Sequence, residues 1–172
     1  MNKLRNTKIL TGAAMLIALG IILGFFKVPI NQLIEIRFGF LPIEMAGMLF
    51  GPAIAGVVGA LTDIGGFIVK PTGPYFPGFT FSSIVGGIIF GLMLKGKKIT
   101  FLRVLITQIL YTVIVCIILN SYWLDLLYYQ NGFLVTVIAR LPKEIIMIPI
   151  MTVMFYSLVK VFSRVRLEEY AK

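Results

Sequence analysis

Histidine is absent from the 172-residue sequence, and cysteine occurs once, as Cys116. A single thiol cannot form an internal disulfide, and zinc sites are built mainly from cysteine and histidine, so we expect neither a disulfide nor a metal site. No Ser or Thr lies beside a plausible general base, which leaves no evident nucleophile for hydrolysis. These absences argue against an enzyme.

A nucleotide-binding loop is also missing. The run from Gly91 to Lys98 comes close to the phosphate-binding pattern, but Lys98 stands where Ser or Thr must bind magnesium. The run also forms the apolar end of a predicted helix. We therefore expect this chain to use no ATP and to carry no cofactor of its own.

Acidic residues are scarce, because seven Asp and Glu stand against sixteen Lys and Arg, for a formal net charge of +9. The basic residues lie mostly at the ends of apolar segments, so the charge indicates a bilayer and not nucleic acid. The chain is 59% hydrophobic, with a mean hydropathy of +0.98. A soluble domain of this size cannot bury so much apolar surface, so we expect an integral membrane protein.

Six apolar segments follow one another, with short connections that leave no room for a soluble domain. The first contains 18 residues without a charge, about 27 Å at 1.5 Å per residue, which is close to a full span. The approximate bounds of the six are 9–26, 38–50, 52–69, 79–94, 101–119 and 133–159. The sequence therefore predicts an all-α integral membrane protein, a six-transmembrane-helix bundle that forms one domain over residues 1–172.

The basic residues are distributed unevenly between the two ends of these segments. With the N-terminus inside the cell, eleven fall on the cytoplasmic side, namely Lys3, Arg5, Lys8, Lys95, Lys97, Lys98, Arg103, Lys160, Arg164, Arg166 and Lys172. Three flank the outer side, namely Lys27, Arg37 and Lys70. Because cytoplasmic connections are enriched in Lys and Arg, we predict that both termini are cytoplasmic.

This orientation places three connections outside, at residues 27–37, 70–79 and 120–132. The last of them carries four aromatic residues, Tyr122, Trp123, Tyr128 and Tyr129. Such residues suit an outer interfacial belt, and a role as a cap over a ligand is the alternative.

The stretch from Lys70 to Phe79 is the one irregular, proline-rich island in the chain. Its three prolines and two glycines cannot continue a helix, because proline lacks the N–H group and glycine loses more backbone entropy. Tyr75, Phe76 and Phe79 are carried on this stiff backbone. The stretch is interpreted either as a lid or wall for a flat ligand, or as a turn whose rings lie at the lipid headgroups.

Five ionisable residues lie inside the predicted spans, namely Glu44, Asp63, Arg140, Lys143 and Glu144. A charge in hydrocarbon costs roughly 2.5–3.5 kcal/mol, so such residues usually face a cavity or a partner. The helical rise brings charge from three helices to a similar level, below the aromatic loop. The three residues of the last segment also share one helical face. We predict a pocket there, and structural ion pairs such as Asp63 with Arg140 are the alternative.

Three motifs occur together in this chain: Ala60-Leu-Thr-Asp63, Lys70-Pro-Thr-Gly-Pro-Tyr-Phe-Pro-Gly-Phe79 and Arg140-Leu-Pro-Lys143. The combination resembles the folate-specific substrate-capture (S) subunit of energy-coupling factor transporters, over essentially the whole chain. The resemblance implies a protein of the bacterial cytoplasmic membrane that binds folate with high affinity in an outward-opening pocket. It also implies three partners, a membrane coupling subunit and two cytoplasmic ATPase subunits that use the ATP.

In such proteins the first helix packs on the coupling subunit through an Ala-xxx-Ala motif, which Ala14 and Ala18 match here. Two small residues four positions apart allow another helix to approach closely. The alternative is that this strip packs inside the bundle, against Ala55 and Gly59 of the third segment.

The chemistry of folate fits the same residues. A pterin ring is flat and edged with donors and acceptors, so aromatic walls and the carboxylate of Asp63, or of Glu44, suit it. The two carboxylates of the glutamate tail require cations, and which cation binds which group stays open, as does the direction in which the ligand enters. The candidate ligand-binding set is Arg37, Glu44, Asp63, Lys70, Thr72, Pro74, Tyr75, Phe76, Phe79, Arg140 and Lys143.

Three classes of protein are therefore compared. The proline-rich motif favours a folate-binding transporter subunit. An S subunit for another flat vitamin, or for a modified-base precursor, is the alternative. An intramembrane enzyme would need a paired nucleophile and base, which the sequence does not provide.

Overall fold

The computed structural model describes residues 7–26, 28–29, 35–36, 38–71, 74–129 and 132–163. Within this part of the chain there are six helices: α1 Thr7–Phe25, α2 Phe40–Phe50, α3 Pro52–Val69, α4 Pro77–Leu94, α5 at 101–129 and α6 Phe133–Ser163. The first connection contributes two-residue strands, β1 (Val28–Pro29) and β2 (Glu35–Ile36), which pair in antiparallel fashion.

Five of these helices are long and apolar enough to cross a membrane, and α2, with 11 residues, is shorter. Large apolar side chains such as Met15, Leu134 and Ile145 are exposed along them, as expected where the surroundings are lipid. The predicted all-helical membrane fold with six apolar helices is confirmed at this level.

Gly51 alone joins α2 to α3. Its φ of 93° lies in the left-handed region that residues with a side chain rarely adopt. Its N–H donates to the carbonyls of Ala46 and Gly47, which ends α2. Pro52 then begins α3, where its missing N–H has no cost. The result is a tight hairpin of two helices with no loop between them.

Helices α3 and α4 approach so closely that there is no room for side chains at the contact. A methyl group at Gly87 would collide with the carbonyl of Ala55, and one at Gly91 would collide with the backbone of Pro52. Small residues at a helix interface allow this backbone-to-backbone packing. The pair α3 and α4 therefore forms a rigid wall for the adjoining space.

Helix α5 is longer than the sequence analysis predicted. It is α-helical over Phe101–Tyr111 and Asn120–Leu124, and π-helical over Thr112–Leu119 and Asp125–Tyr129. The prediction that residues 120–132 form a connection is therefore wrong for most of that range. The carboxylate of Asp125 accepts bonds from the Gly132 N–H and the Thr136 hydroxyl, so α6 begins close by.

The main apolar cluster packs α2, α4, α5 and α6 together. Phe90, Leu94, Val104 and Phe155 are completely buried in it. Met147 and Met151 belong to the same cluster and also line the cavity described next. The apolar core thus continues into one wall of a ligand-sized space.

A cavity lined by aromatic rings and charges

A cavity of about 660 Å³ lies where α1 and α3 end and α2 and α4 begin, and the middle of α6 forms another wall. Its size falls within the range of about 300–1,000 Å³ typical of small-molecule sites. The lining combines residues of the 70–79 loop with charges of α3 and α6. The helices thus bring the loop and the intramembrane charges to one space.

Aromatic rings form one part of the cavity wall. The ring centroids of Phe67 and Tyr75 are 5.2 Å apart, and those of Phe76 and Phe79 are 6.1 Å apart with the planes at 73°. Tilted and edge-to-face contacts of this kind stabilise aromatic pairs. The flat walls they make suit a planar ring system.

A chain of hydroxyl groups connects this aromatic wall to a carboxylate. The Thr80 hydroxyl donates to Asp63 Oδ2 at 2.7 Å, and the Tyr75 hydroxyl lies 2.9 Å from Thr80 Oγ1. Asp63 lies in α3, Thr80 in the first turn of α4, and Tyr75 in the loop between these helices. The carboxylate that faces the cavity is thereby held in a defined position.

The charges of α6 form a three-residue group around one acceptor. Glu144 Oε1 lies 3.3 Å from Arg140 Nη2 and 3.3 Å from Lys143 Nζ, and all three side chains line the cavity. Two cations share one carboxylate, so the group carries one net positive charge. This part of the wall favours an anion.

Arg140 has hydrogen-bonding capacity that the protein does not use. Its side chain is buried, with 5% exposed, and both Nε and Nη1 lack a hydrogen-bond partner among the described residues. Buried donors without partners are costly, and native proteins rarely keep them without a reason. A carboxylate that entered the cavity would accept from this guanidinium.

Trp123 packs beside the cavity from α5. Its ring centroid is 5.4 Å from that of Phe76, and its indole N–H donates to Ser82 Oγ at 3.1 Å. Asn120, one helical turn earlier, lines the cavity, and its buried Oδ1 has no hydrogen-bond partner in the part of the chain that the structure describes. Sequence reasoning considered Trp123 as an interfacial residue or a cap over a ligand, but it missed Asn120 as a wall residue because it ended the fifth helix at residue 119. The signal that was available is the absence of glycine and proline from 101 to 131.

Most of the predicted ligand-binding residues line this one cavity, namely Asp63, Lys70, Pro74, Tyr75, Phe76, Phe79, Arg140 and Lys143. Arg37 and Thr72 lie outside the described residues. The ligand contacts assigned to the whole set stay predictions.

Glu44 is the member of the set that the structure places elsewhere. Its side chain is completely buried and is absent from the cavity lining, and its Oε2 accepts from Gln108 Nε2 at 2.7 Å. The hydrogen bond to the Glu44 carboxyl group therefore links α2 to α5. In this arrangement it does not face a ligand in the cavity.

Ala14 and Ala18 lie on an exposed face of α1. The inner face of this helix is formed by other small residues: a methyl group at Gly20 would clash with Thr62 of α3, and one at Gly12 would clash with Phe50 of α2. The Ala14–Ala18 strip is therefore not packed inside the bundle, which was the alternative interpretation.

A wide cavity with aromatic and cationic walls, inside an apolar helical bundle, defines a multi-pass membrane protein that binds a small solute. Residues 8–159 match the family described as ECF transporter, substrate-specific component, and the chain belongs to this family. The resemblance drawn from the three motifs is confirmed, and with it a location in the cell membrane.

Two curated relatives are named folate transporter FolT. The one from Clostridium novyi (strain NT) is 37% identical over 164 residues, which is 95% of each chain. The one from Leuconostoc mesenteroides subsp. mesenteroides is 31% identical over 150 residues, covering 84% of this chain and 80% of the relative.

Two solved structures have the same fold. The crystal structure of FolT bound with folic acid superposes with a TM-score of 0.80 at 34% identity, covering 89% of this chain and 93% of that one. The S component of a bacterial ECF transporter superposes with a TM-score of 0.73 at 24% identity, covering 93% and 98%. The second similarity concerns the fold alone.

Proposed function

We propose that this chain is the folate-binding S component of an ECF transporter, which captures folate in the cavity and passes it to an ATP-driven coupling module. The observation that carries this proposal is the buried Arg140 side chain in the wall of the cavity, where two of its nitrogen atoms have no partner within the described ranges. Folate has two carboxylates that these donors would bind in a charge-assisted way.

The other walls fit the remaining parts of folate. The rings of Phe67, Tyr75, Phe76 and Phe79 provide flat surfaces for a pterin, and the Asp63 carboxylate accepts from the amino groups at its edge. The two relatives named folate transporter and the structural match to a folic acid complex support this choice of ligand. In this role the chain binds and releases folate without chemical change.

Direct titration with a ligand panel tests the choice of ligand. Trp123 is the single tryptophan, and it packs on Phe76 of the cavity wall, so folate binding is expected to quench its fluorescence. Purified protein is titrated with folate, riboflavin and thiamine under identical conditions. Saturable quenching by folate alone supports the proposal, whereas saturation by another vitamin and not by folate overturns it.

The cavity is proposed to open outward, with both termini in the cytoplasm. The end of the bundle away from the cavity carries Lys8, Lys95, Lys97, Lys98, Arg103 and Lys160, whereas Lys70 lies at the cavity end. This asymmetry follows the positive-inside rule. Tyr75→Cys in a Cys116→Ser background is expected to react with an impermeant thiol reagent on intact cells, and labelling that requires lysis contradicts the orientation.

The partners are proposed to be one membrane coupling subunit and two cytoplasmic ATPase subunits. The exposed Ala14–Ala18 strip of α1 is the proposed docking surface for the coupling subunit, because small residues allow a partner helix to come close. Ala14→Trp with Ala18→Trp is expected to leave folate binding nearly intact and to abolish uptake by the assembled transporter. Equal loss of binding and uptake would show that the strip supports the bundle itself.

A further inference from the structure

Thr80 occupies a central position that the sequence motifs do not indicate. It lies in the first turn of α4, only 8% exposed, and its hydroxyl is within hydrogen-bonding distance of two cavity residues. Asp63 Oδ2 is 2.7 Å away and the Tyr75 hydroxyl is 2.9 Å away. One small side chain therefore connects a helix wall with the loop over the cavity.

The directions of these two bonds follow from the chemistry of the hydroxyl group. A threonine hydroxyl has one hydrogen to donate and two lone pairs that accept. The hydrogen is directed to the Asp63 carboxylate, so the contact with Tyr75 must be one in which the phenol donates to Thr80 Oγ1. The order of donation is Tyr75 to Thr80 to Asp63, with the negative charge at its end, which strengthens both bonds.

The two residues that Thr80 connects differ in how firmly the fold holds them. Asp63 belongs to α3, which is locked against α4 by glycine contacts. Tyr75 belongs to the irregular loop, is 43% exposed and touches the ring of Phe67. The hydroxyl of Thr80 is therefore the link through which a rigid carboxylate orients an exposed aromatic side chain.

We propose that Thr80 is a positioning residue for ligand retention, which holds the Asp63 carboxylate toward the cavity and fixes the Tyr75 ring over it in a single arrangement. This inference rests on the proposed function and adds to it a residue that need not touch the ligand. A ligand that donates to Asp63 restricts the motion of the carboxylate. The hydrogen bonds from Tyr75 to Thr80 to Asp63 then keep the Tyr75 ring in place. The consequence is slow dissociation of the bound ligand.

The test uses full-length protein, folate as the probe and stopped-flow recording of Trp123 fluorescence. Thr80→Val keeps the shape of the side chain and removes both bonds, Thr80→Ser keeps both, and Tyr75→Phe removes only the loop bond. Thr107→Val is the matched control, since Thr107 is also buried but donates to the Arg103 carbonyl of its own helix. Thermal unfolding of each variant checks the fold.

We expect Thr80→Val to raise the dissociation rate about tenfold, since it removes a bond to a carboxylate and a neutral bond. Thr80→Ser should restore slow dissociation, and Thr107→Val should leave the rate unchanged. The double variant Thr80→Val with Tyr75→Phe should release folate no faster than Thr80→Val alone, because both substitutions break the same link.

Two results would overturn the inference. One is a dissociation rate in the double variant that rises by the product of the two single-variant increases, and the other is a dissociation rate in Thr80→Val equal to that of the wild type. If Thr80→Val does not fold, Tyr75→Phe decides by itself, because an unchanged dissociation rate in that variant also overturns it. A wild-type protein that binds no folate contradicts the proposed function instead, so the two failures are distinguishable.

Discussion

Two groups of charged and polar side chains are buried in this bundle, and they differ in the atoms that they leave unbonded. The α6 group, Arg140 with Lys143 and Glu144, lines the cavity and leaves two donor nitrogens without partners among the residues that the structure describes. The α2–α5 pair, Glu44 with Gln108, lies apart from the cavity and leaves two acceptor oxygens, one on each residue, without a donor from the same described residues. The α6 group has capacity for an incoming anion, whereas the α2–α5 pair is an internal connection between helices.

The comparison shows that a charge within a membrane span does not by itself identify a binding site. Both groups satisfy the sequence criterion, since Glu44 and Arg140 are both ionisable residues within apolar helices. The difference is that the α6 side chains combine unused donors with access to a space of ligand size. Binding and stability should therefore respond separately to substitutions in the two groups.

The largest effect is expected for Arg140→Ala, on binding. A charge-assisted hydrogen bond to a ligand carboxylate contributes about 1.5–3 kcal/mol, so the Kd for folate should rise roughly 10- to 150-fold. Glu144 keeps its contact with Lys143 in this variant, which limits the damage to the fold. Quenching of Trp123 fluorescence measures the affinity.

Arg103→Ala is the control for this variant, because Arg103 lies at the start of α5, away from the cavity. Its affinity for folate should match that of the wild type. Equal losses at Arg140 and Arg103, with matched yields of folded protein, would mean that the α6 group is not the anion site.

A smaller effect is expected for Gln108→Met, on stability. The substitution keeps the volume of the side chain but leaves the buried Glu44 carboxyl without its Gln108 donor, which costs about 1–3 kcal/mol. The midpoint of thermal unfolding in detergent should fall. The folate affinity of the folded fraction should stay within about threefold of the wild type, a change of less than 1 kcal/mol. A loss of affinity as large as that of Arg140→Ala would remove the distinction between the two groups.

The smallest effect is expected when both members of the pair are replaced. Glu44→Met with Gln108→Met removes the carboxyl group and its donor together, and such paired apolar replacements are often nearly neutral. The free energy of unfolding should return to within about 1 kcal/mol of the wild-type value, with folate binding retained. If the double variant is less stable than Gln108→Met alone, the pair has a further role.

Sequence reasoning was most successful where the signal is local. The three-residue spacing of Arg140 and Lys143 and the adjacent Glu144 predicted one helical face, and the structure brings all three together around the Glu144 carboxylate. The proline-rich loop was likewise expected above the intramembrane charges, and its aromatic rings line the same cavity as Asp63 and Arg140.

The residues that sequence reasoning missed depend on neighbours that are distant along the chain. Thr80 meets Asp63 across 17 positions, and Asn120 lines the cavity from α5 beside residues of α1 to α4. Helix α4 begins at Pro77, two residues earlier than predicted, so Thr80 lies within its first turn. Proline is common at the first position of a helix, and Pro77 would have indicated this boundary.

The sequence by itself determined that the chain is a helical membrane protein, which charges lie within the spans, and which family the chain resembles, because hydropathy, helical spacing and motifs are properties of neighbouring residues. Only the tertiary structure decided that Arg140 faces a cavity and that Glu44 does not. That outcome depends on what other helices bring to each side chain, since Gln108 donates to Glu44 from 64 positions away, while open space adjoins Arg140.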